Sequence, residues 1–265
     1  EVRNTVGSAI HLNGHHFELL NMSVHDNGLV SQQMGYANGA NGVYGMASNS
    51  VVRGGVFHDN LCFGVRFFTS YPSGTGHDNL VTGATFYNNG AGKAFGGISA
   101  CSSGGGGVVM GDTDNVASNN IMHDNVKGIW LYKSPTATNN NAVYNNTIYN
   151  NTYGIIIDNT DVTNSIIKNN LVVGNTRSNY IDEGSGTIAA NNRITGLITD
   201  CTISTVNFRL KAGAPCIDAG ATIATVTSDF AGIPRPQGAA HDIGAYEMSG
   251  TDTAGPMAPR GLTVQ

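Results

Sequence analysis

The sequence predicts an all-β fold, a parallel β-helix with three short strands in each rung and a non-repeating C-terminal cap. Three observations carry that prediction. A short echo returns seven times, at residues 21–27, 54–60, 83–89, 119–125, 145–151 and 169–175, with a fading copy from Asn191. Aligned on the echo, two further columns are apolar throughout. A third segment in each repeat alternates apolar and polar residues with period two, the mark of a strand with a buried inward face. Self-similarity at this period means stacked rungs, about 4.8 Å apart.

The elements of a rung follow in order. The first strand places Leu19, Val52, Val81, Ala117, Val143, Ile167 and Ala189 inward. Two residues later comes a corner that holds only Asn or Gly, the residues that tolerate a left-handed backbone, so a positive φ is expected there. The second strand places Val24, Phe57, Phe86, Met122, Ile148 and Val172 inward. The echo then closes on Asn in six rungs, Asn27, Asn60, Asn89, Asn125, Asn151 and Asn175. A backbone requirement alone would have admitted Gly, so the amides are expected to bond from rung to rung as an asparagine ladder. The third strand supplies Ile10, Val43, Val65, Val108, Ile129 and Ile155, with Leu12, Phe67, Met110, Leu131 and Ile157 two places on.

The steps from Ile10 to Val43 and from Val65 to Val108 are longer than the rest and must carry insertions. Long loops fall at residues 28–41, 69–77 and 90–106, all flanking the third strand. The Gly-rich run 104–107 has no following Lys-Ser or Lys-Thr and is read as loop, not as a phosphate cradle. Only 12% of the residues are charged while 36 are Gly, a balance that suits stacked turns better than helices. The net charge of −5 argues against nucleic acid as a general partner. No stretch is long or apolar enough to cross a membrane. The chain opens at Glu1 in a strand-like segment with no capping helix before Ile10, which predicts a mature or trimmed start.

Four cysteines, Cys62, Cys101, Cys201 and Cys216, have no zinc-like spacing. Cys201 and Cys216 could pair as a disulfide in a secreted protein, and four buried thiols are the alternative. From about Thr199 the ladder stops and the composition shifts to Pro, Asp and Arg. The stretches Ala214-Pro215-Cys216-Ile217-Asp218-Ala219-Gly220, Asp229-Phe230-Ala231-Gly232-Ile233-Pro234-Arg235-Pro236 and Asp242-Ile243-Gly244-Ala245-Tyr246-Glu247 resemble the C-terminal cap of secreted bacterial right-handed β-helix proteins. That group includes polysaccharide lyases of the chondroitinase B and alginate lyase type. The resemblance implies a right-handed coil and an extracellular location. These Asp and Arg residues are read as turn formers and internal salt links, not as catalytic groups. Ala258-Pro259-Arg260-Gly261-Leu262-Thr263-Val264 resembles the opening of a fibronectin type III module. The expected organisation is rungs over 1–198, cap over 199–248, and linker plus start of that module over 249–265, tethered to further modules.

Solenoids offer long exposed strand faces whose stacked side chains can serve as subsites for a polymer. The outward column of the third strand reads His11, Tyr44, Arg66, Val109, Trp130 and Ile156, and the next reads Asn13, Met46, Phe68, Gly111, Tyr132, Asp158 and Glu183. Trp130, the single tryptophan, points outward and needs cover, either a stacked sugar or a loop such as 90–106. Tyr132 and Phe68 extend that platform, with His11 and Glu183 as further contacts to substrate. β-Elimination on a uronic acid polymer needs a group on the carboxylate, a base for the C5 proton and an acid for the leaving oxygen. The resemblance implies Arg or Lys as base, with calcium or basic groups on the carboxylate. Arg66, Lys133 and Lys93 are the candidates for those roles, with Tyr44, Tyr132 or His11 as proton donors.

Asp112, Asp114 and Asp161 are candidate calcium ligands, with backbone-satisfying turn residues as the alternative. Asp158 with Glu183 on neighbouring rungs could instead be a hydrolase pair at the separation of a retaining glycosidase. His25, His58 and His123 share a column with Tyr87, Tyr149 and Val173 and are read as a structural stack. The sequence thus points to a secreted carbohydrate-active protein, a lyase on an acidic polysaccharide. Its alternatives are a glycan-binding or adhesive solenoid and a glycoside hydrolase.

Overall fold

The computed structural model describes residues 1–28, 40–69, 76–90, 101, 104–135 and 138–249. Lys93, the interiors of the three insertions and nearly all of 249–265 lie outside the described residues. The chain winds as a right-handed parallel β-helix, and three seven-stranded parallel sheets run along it. The first sheet joins strands Glu18–Leu20, Val51–Arg53, Leu80–Thr82, Val116–Ser118, Ala142–Tyr144, Ile166–Lys168 and Ile188–Ala190. The second joins Val2–Arg3, Ser23–His25, Val56–His58, Thr85–Tyr87, Ile121–His123, Thr147–Tyr149 and Leu171–Val173. The third joins Ile10–His15, Val43–Ser48, Phe63–Phe67, Gly106–Met110, Lys127–Leu131, Tyr153–Ile157 and Ser178–Asp182.

Each expected apolar column is a line of paired residues. Leu19, Val52, Val81, Ala117, Val143, Ile167 and Ala189 pair in turn along the first sheet. Val24 to Val172 do so along the second. Val2, which lies outside the echo, opens that sheet beside Val24. Together with the inward column of the third sheet these side chains form one continuous core. Gly45 breaks the apolar run of that column for a steric reason. A Cβ there would stand 2.6 Å from the Phe67 ring, which fills the space from the next rung.

Polar groups at the corners are bonded in lines. The first corner has positive φ in all seven rungs, at Asn21, Gly54, Gly83, Asn119, Asn145, Asn169 and Asn191. The closing amides form the ladder: Asn27, Asn60, Asn89, Asn125, Asn151 and Asn175 each donate from Nδ2 to the Oδ1 of the next, at 2.9 to 3.0 Å, and Asn175 donates to Asn179 at 2.9 Å. Two shorter ladders lie at the other corners. Asn120, Asn146, Asn170 and Asn192 make one through their side-chain amides; in the other the Asn79 amide donates to Asn115 Oδ1 and the Asn115 backbone N–H donates to Asn141 Oδ1. The same oxygens also accept backbone N–H groups, so the turns leave few orphaned donors.

The non-repeating tail runs along the flank of the coil, against the outer face of the second sheet. Ile121, Leu171 and Val173 form a second core there with Ile198, Cys201, Leu210, Cys216, Ile243 and Ala245. A short helix, Ile198–Cys201, opens the tail, and Cys201 is bonded to Cys216. Corner amides hold the rest: Asn119 donates to the Ser228 carbonyl, Asn145 to Asp242, Asn169 to Ala221 and Asn191 to Ala219, at 2.7 to 3.0 Å. The motif acids and arginine knit the tail to itself. Arg235 pairs with Glu247 at 2.5 Å, with both side chains buried, and donates to the Gly244 carbonyl at 2.9 Å. Asp229 and Asp242 accept backbone N–H groups from both sides of their turns.

Candidate functional site

Strand pairing puts the outward residues of the third sheet in the expected line. His11 pairs with Tyr44, Tyr44 with Arg66, Arg66 with Val109, Val109 with Trp130 and Trp130 with Ile156. The planar groups in this line stack. His11 lies 5.0 Å from Tyr44 between centroids, and the Arg66 guanidinium sits 5.3 Å from the Tyr44 ring and 4.7 Å from the Phe68 ring. Phe68 meets Tyr132 at 5.4 Å and Tyr132 meets Trp130 at 4.4 Å. A band of flat side chains therefore crosses five rungs. At about 4.8 Å per rung it spans roughly 19 Å.

Arg66 is largely withdrawn from water on this band. Desolvation pulls its pKa down, only Tyr44 and Tyr132 pull it back up, and its Nε is buried with no hydrogen-bond partner. Among the described residues no carboxylate forms an ion pair with it.

Trp130 is not an open platform. It is 7% exposed, and Phe63, Cys62, Cys101, Ala40, Val109 and Ile156 cluster with it. The cover is pinned by a disulfide between Cys62 and Cys101, a pairing the cysteine spacing did not suggest. Phe68, also expected as an open contact, is 7% exposed and presents its ring to Arg66.

Lys127 is the residue that sequence reasoning missed. It begins the strand that carries Trp130, and its Nζ lies 3.9 Å from the centre of the indole ring. Burial lowers its pKa to about 8 against a partial counterpull from Asp158. A lysine three places before the sole tryptophan was the available signal. Asp158 completes the cluster. Desolvation raises its pKa, while Trp130 Nε1–H, Lys127 and its own backbone lower it. Trp130 Nε1 and Asp158 Oδ1 are both buried without a hydrogen-bond partner. Glu183 is exposed one rung further on.

The remaining candidates are placed elsewhere. Lys133 forms an ion pair with Asp161, both about half exposed. Asp112 is buried, its Oδ2 accepting from the N–H and hydroxyl of Thr69 at 2.9 and 2.8 Å. Asp114, at a left-handed corner, lines a cavity of about 390 Å³ between the first sheet and the tail, with Arg53, Asp78 and Ser228. The three acids expected as calcium ligands thus serve three different places: Asp112 is buried against Thr69, Asp114 lines the cavity beside the tail, and Asp161 pairs with Lys133. No three His, Cys, Asp or Glu side chains converge as a metal site among the described residues, and the internal segments outside them contain no Asp or Glu. The acids present do not fit a calcium centre. His25, His58, Tyr87 and His123 stack at 4.6, 4.6 and 5.4 Å, each His tied to the following Asp at 2.6 Å.

No helix among the described residues is long and apolar enough to cross a membrane. The family model described as right handed beta helix region matches residues 2–194. No curated protein gives a significant match in sequence. Among solved structures the chain is similar to the pectate lyase Pel9A, with a TM-score of 0.67 at 16% identity. That match covers 94% of this chain and 64% of the lyase, so the chain spans under two thirds of the other's length.

Proposed function

This chain belongs to the right-handed β-helix family, and on that premise we propose that the outer face of its third sheet binds an acidic polysaccharide along the coil axis and cleaves it by β-elimination. The observation that supports this most is Arg66, a desolvated guanidinium stacked between two rings with no carboxylate partner among the described residues. A buried cation without an anion is costly, and a uronate carboxylate from the substrate relieves that cost.

In this reading Arg66 takes the carboxylate and stabilises the negative charge that develops as the C5 proton leaves. Lys127, neutral in a useful fraction near pH 8 because of its burial, takes that proton on Nζ. The C5–H electron pair becomes the C4–C5 double bond, the C4–O bond breaks, and Tyr132 protonates the leaving oxygen. Contacts link the three groups through Phe68 and Trp130. No step is routed through calcium. The similarity to a pectate lyase supports the choice of substrate class, and the two disulfides support secretion into an oxidising compartment. Anchoring through a module that begins after the linker, within 249–265, belongs to the same reading.

The deciding experiment is a screen over acidic and neutral polysaccharides, read both for new reducing ends and for the absorbance of unsaturated sugars. Both signals together are expected from an acidic polymer. Reducing ends without the chromophore would transfer the reaction to hydrolysis, which the raised pKa of Asp158 beside Glu183 favours as a second reading. Saturable binding with neither signal would make the chain a glycan-binding solenoid.

A further inference from the structure

The tail leaves a gap where it lies against the second sheet. One outward column there runs Val56, Thr85, Ile121, Thr147 and Leu171. Thr147 and Leu171 are closed over: the Ala245 N–H donates to Thr147 Oγ1 at 2.9 Å, and Leu171 belongs to the core that the tail makes. Val56, at the other end, is exposed. Between them, at Thr85 and Ile121, the tail parts around a cleft of about 300 Å³, lined also by His123, by segment 206–209 and by Phe230 and Tyr246. Three aromatic side chains of the tail stand in it. Phe230 and Tyr246 are tilted against each other at 5.3 Å, with the Arg209 guanidinium 4.9 Å from the Tyr246 ring, and Phe208 meets His123 at 5.7 Å. Phe230 and Tyr246 are only half-buried.

Three polar side chains of the cleft keep unspent hydrogen-bonding capacity among the described residues. The Asp124 carboxylate accepts from His123 Nδ1 at 2.6 Å, which leaves Nε2 of the neutral ring as an acceptor. Asn207 Oδ1 accepts from the Arg209 N–H at 3.2 Å, which leaves its Nδ2 as a donor. The Thr85 hydroxyl is both donor and acceptor. None of the three atoms is an orphan sealed from water. We propose that the cleft is a second glycan site that holds one neutral sugar ring, on a different sheet from Arg66 and independent of the elimination reading. A sugar ring brings apolar C–H faces to the aromatic side chains and a rim of hydroxyls, each donor and acceptor, to Thr85, Asn207 and His123. A purely apolar ligand strips water from those three groups and returns nothing. A proline-rich strand brings carbonyl acceptors but few donors for His123 Nε2. No carboxylate lines the cleft, and its one cation lies on the Tyr246 ring, so the ligand is selected by shape and hydroxyls and not by charge. The volume is at the small end of the range for ligand sites, roughly 300 Å³ and upward, and suits a single ring. A neutral glycan is thus held on one flank while the third sheet works on an acidic one.

The test is calorimetric titration of the full chain with neutral gluco-, manno- and xylo-oligosaccharides. Saturable binding of at least one of them is expected. Thr85→Val keeps a branched strand residue and removes the hydroxyl, and it is expected to weaken binding about fivefold, the scale of one hydrogen bond. Phe208→Ala removes a ring and is expected to weaken it about tenfold. Phe208 also packs against Tyr149, so Thr85→Val carries the test if the tail of the Phe208 variant loosens. Arg66→Ala is expected to bind as tightly as the wild type. Binding of none of the three sugars at millimolar concentration overturns the proposal, as does binding that Thr85→Val leaves at full strength or that Arg66→Ala abolishes. Binding of acidic oligosaccharides alone, or of a polyproline peptide in place of the neutral sugars, overturns it equally. Release of unsaturated sugar from an acidic polymer is expected to be unchanged in Thr85→Val, so failure of the cleft and failure of elimination are read separately.

Discussion

Arg66 and Lys127 show how one residue acquires chemistry from its neighbours. Both are ordinary surface cations by type, and both are stripped of water by the rings beneath them. Arg66→Ala is expected to lower turnover by about 100-fold or more, the scale for removing a charged group that meets developing negative charge. The thermal transition should stay nearly in place, because the side chain lies outside the core. Lys at this position should restore little, since it lacks the planar fork. Lys127 sets the pH profile. Its lowered pKa means the neutral base is the minority form at pH 7 and the majority above about 8. The rate constant kcat/KM is therefore expected to climb with pH and level off above about 8, and a profile falling through that range would remove Lys127 as the base.

At the scale of the element, the ladder and the tail depend on different physics. Asn125 accepts from Asn89, donates to Asn151 and also donates to the Phe86 and His123 carbonyls, all away from water. Asn125→Ala orphans several of these groups at once, and a loss of about 3 kcal/mol in urea unfolding is expected. In the tail, Arg235→Ala leaves Glu247 as a buried uncompensated charge. A loss of about 3 to 5 kcal/mol is expected, and replacing both partners with apolar residues should recover much of it. The first-corner column explains its own composition in part. Asn119, Asn145, Asn169 and Asn191 hold the tail, whereas Gly54 and Gly83 stand in rungs where no such bond to the tail is made.

For the molecule as a whole, the coil and its cover are separable. Trp130 is the sole tryptophan, so its emission reports the site alone. Emission of a buried indole is expected in the native protein. Breaking the bridge with Cys101→Ser should shift it to longer wavelength while the β-sheet circular dichroism persists, because the core columns do not touch that bridge. An unshifted spectrum would show that the cover is held without it.

The sequence by itself determined the coil, its register and its principal ladder. A column such as Val24, Phe57, Phe86, Met122, Ile148 and Val172 can be buried in only one way when rungs stack, and a corner needing positive φ admits few residues. It also placed Arg66, Trp130, Tyr132 and Asp158 on one face, since alternation along a strand fixes sides. Only the tertiary structure decided which of them are covered, which are paired and which keep an altered pKa. Lys127, the Cys62–Cys101 bridge and the scattering of Asp112, Asp114 and Asp161 all depend on insertions and turns that obey no repeat. Periodicity encodes what every rung shares, whereas desolvation and charge depend on what one rung meets alone.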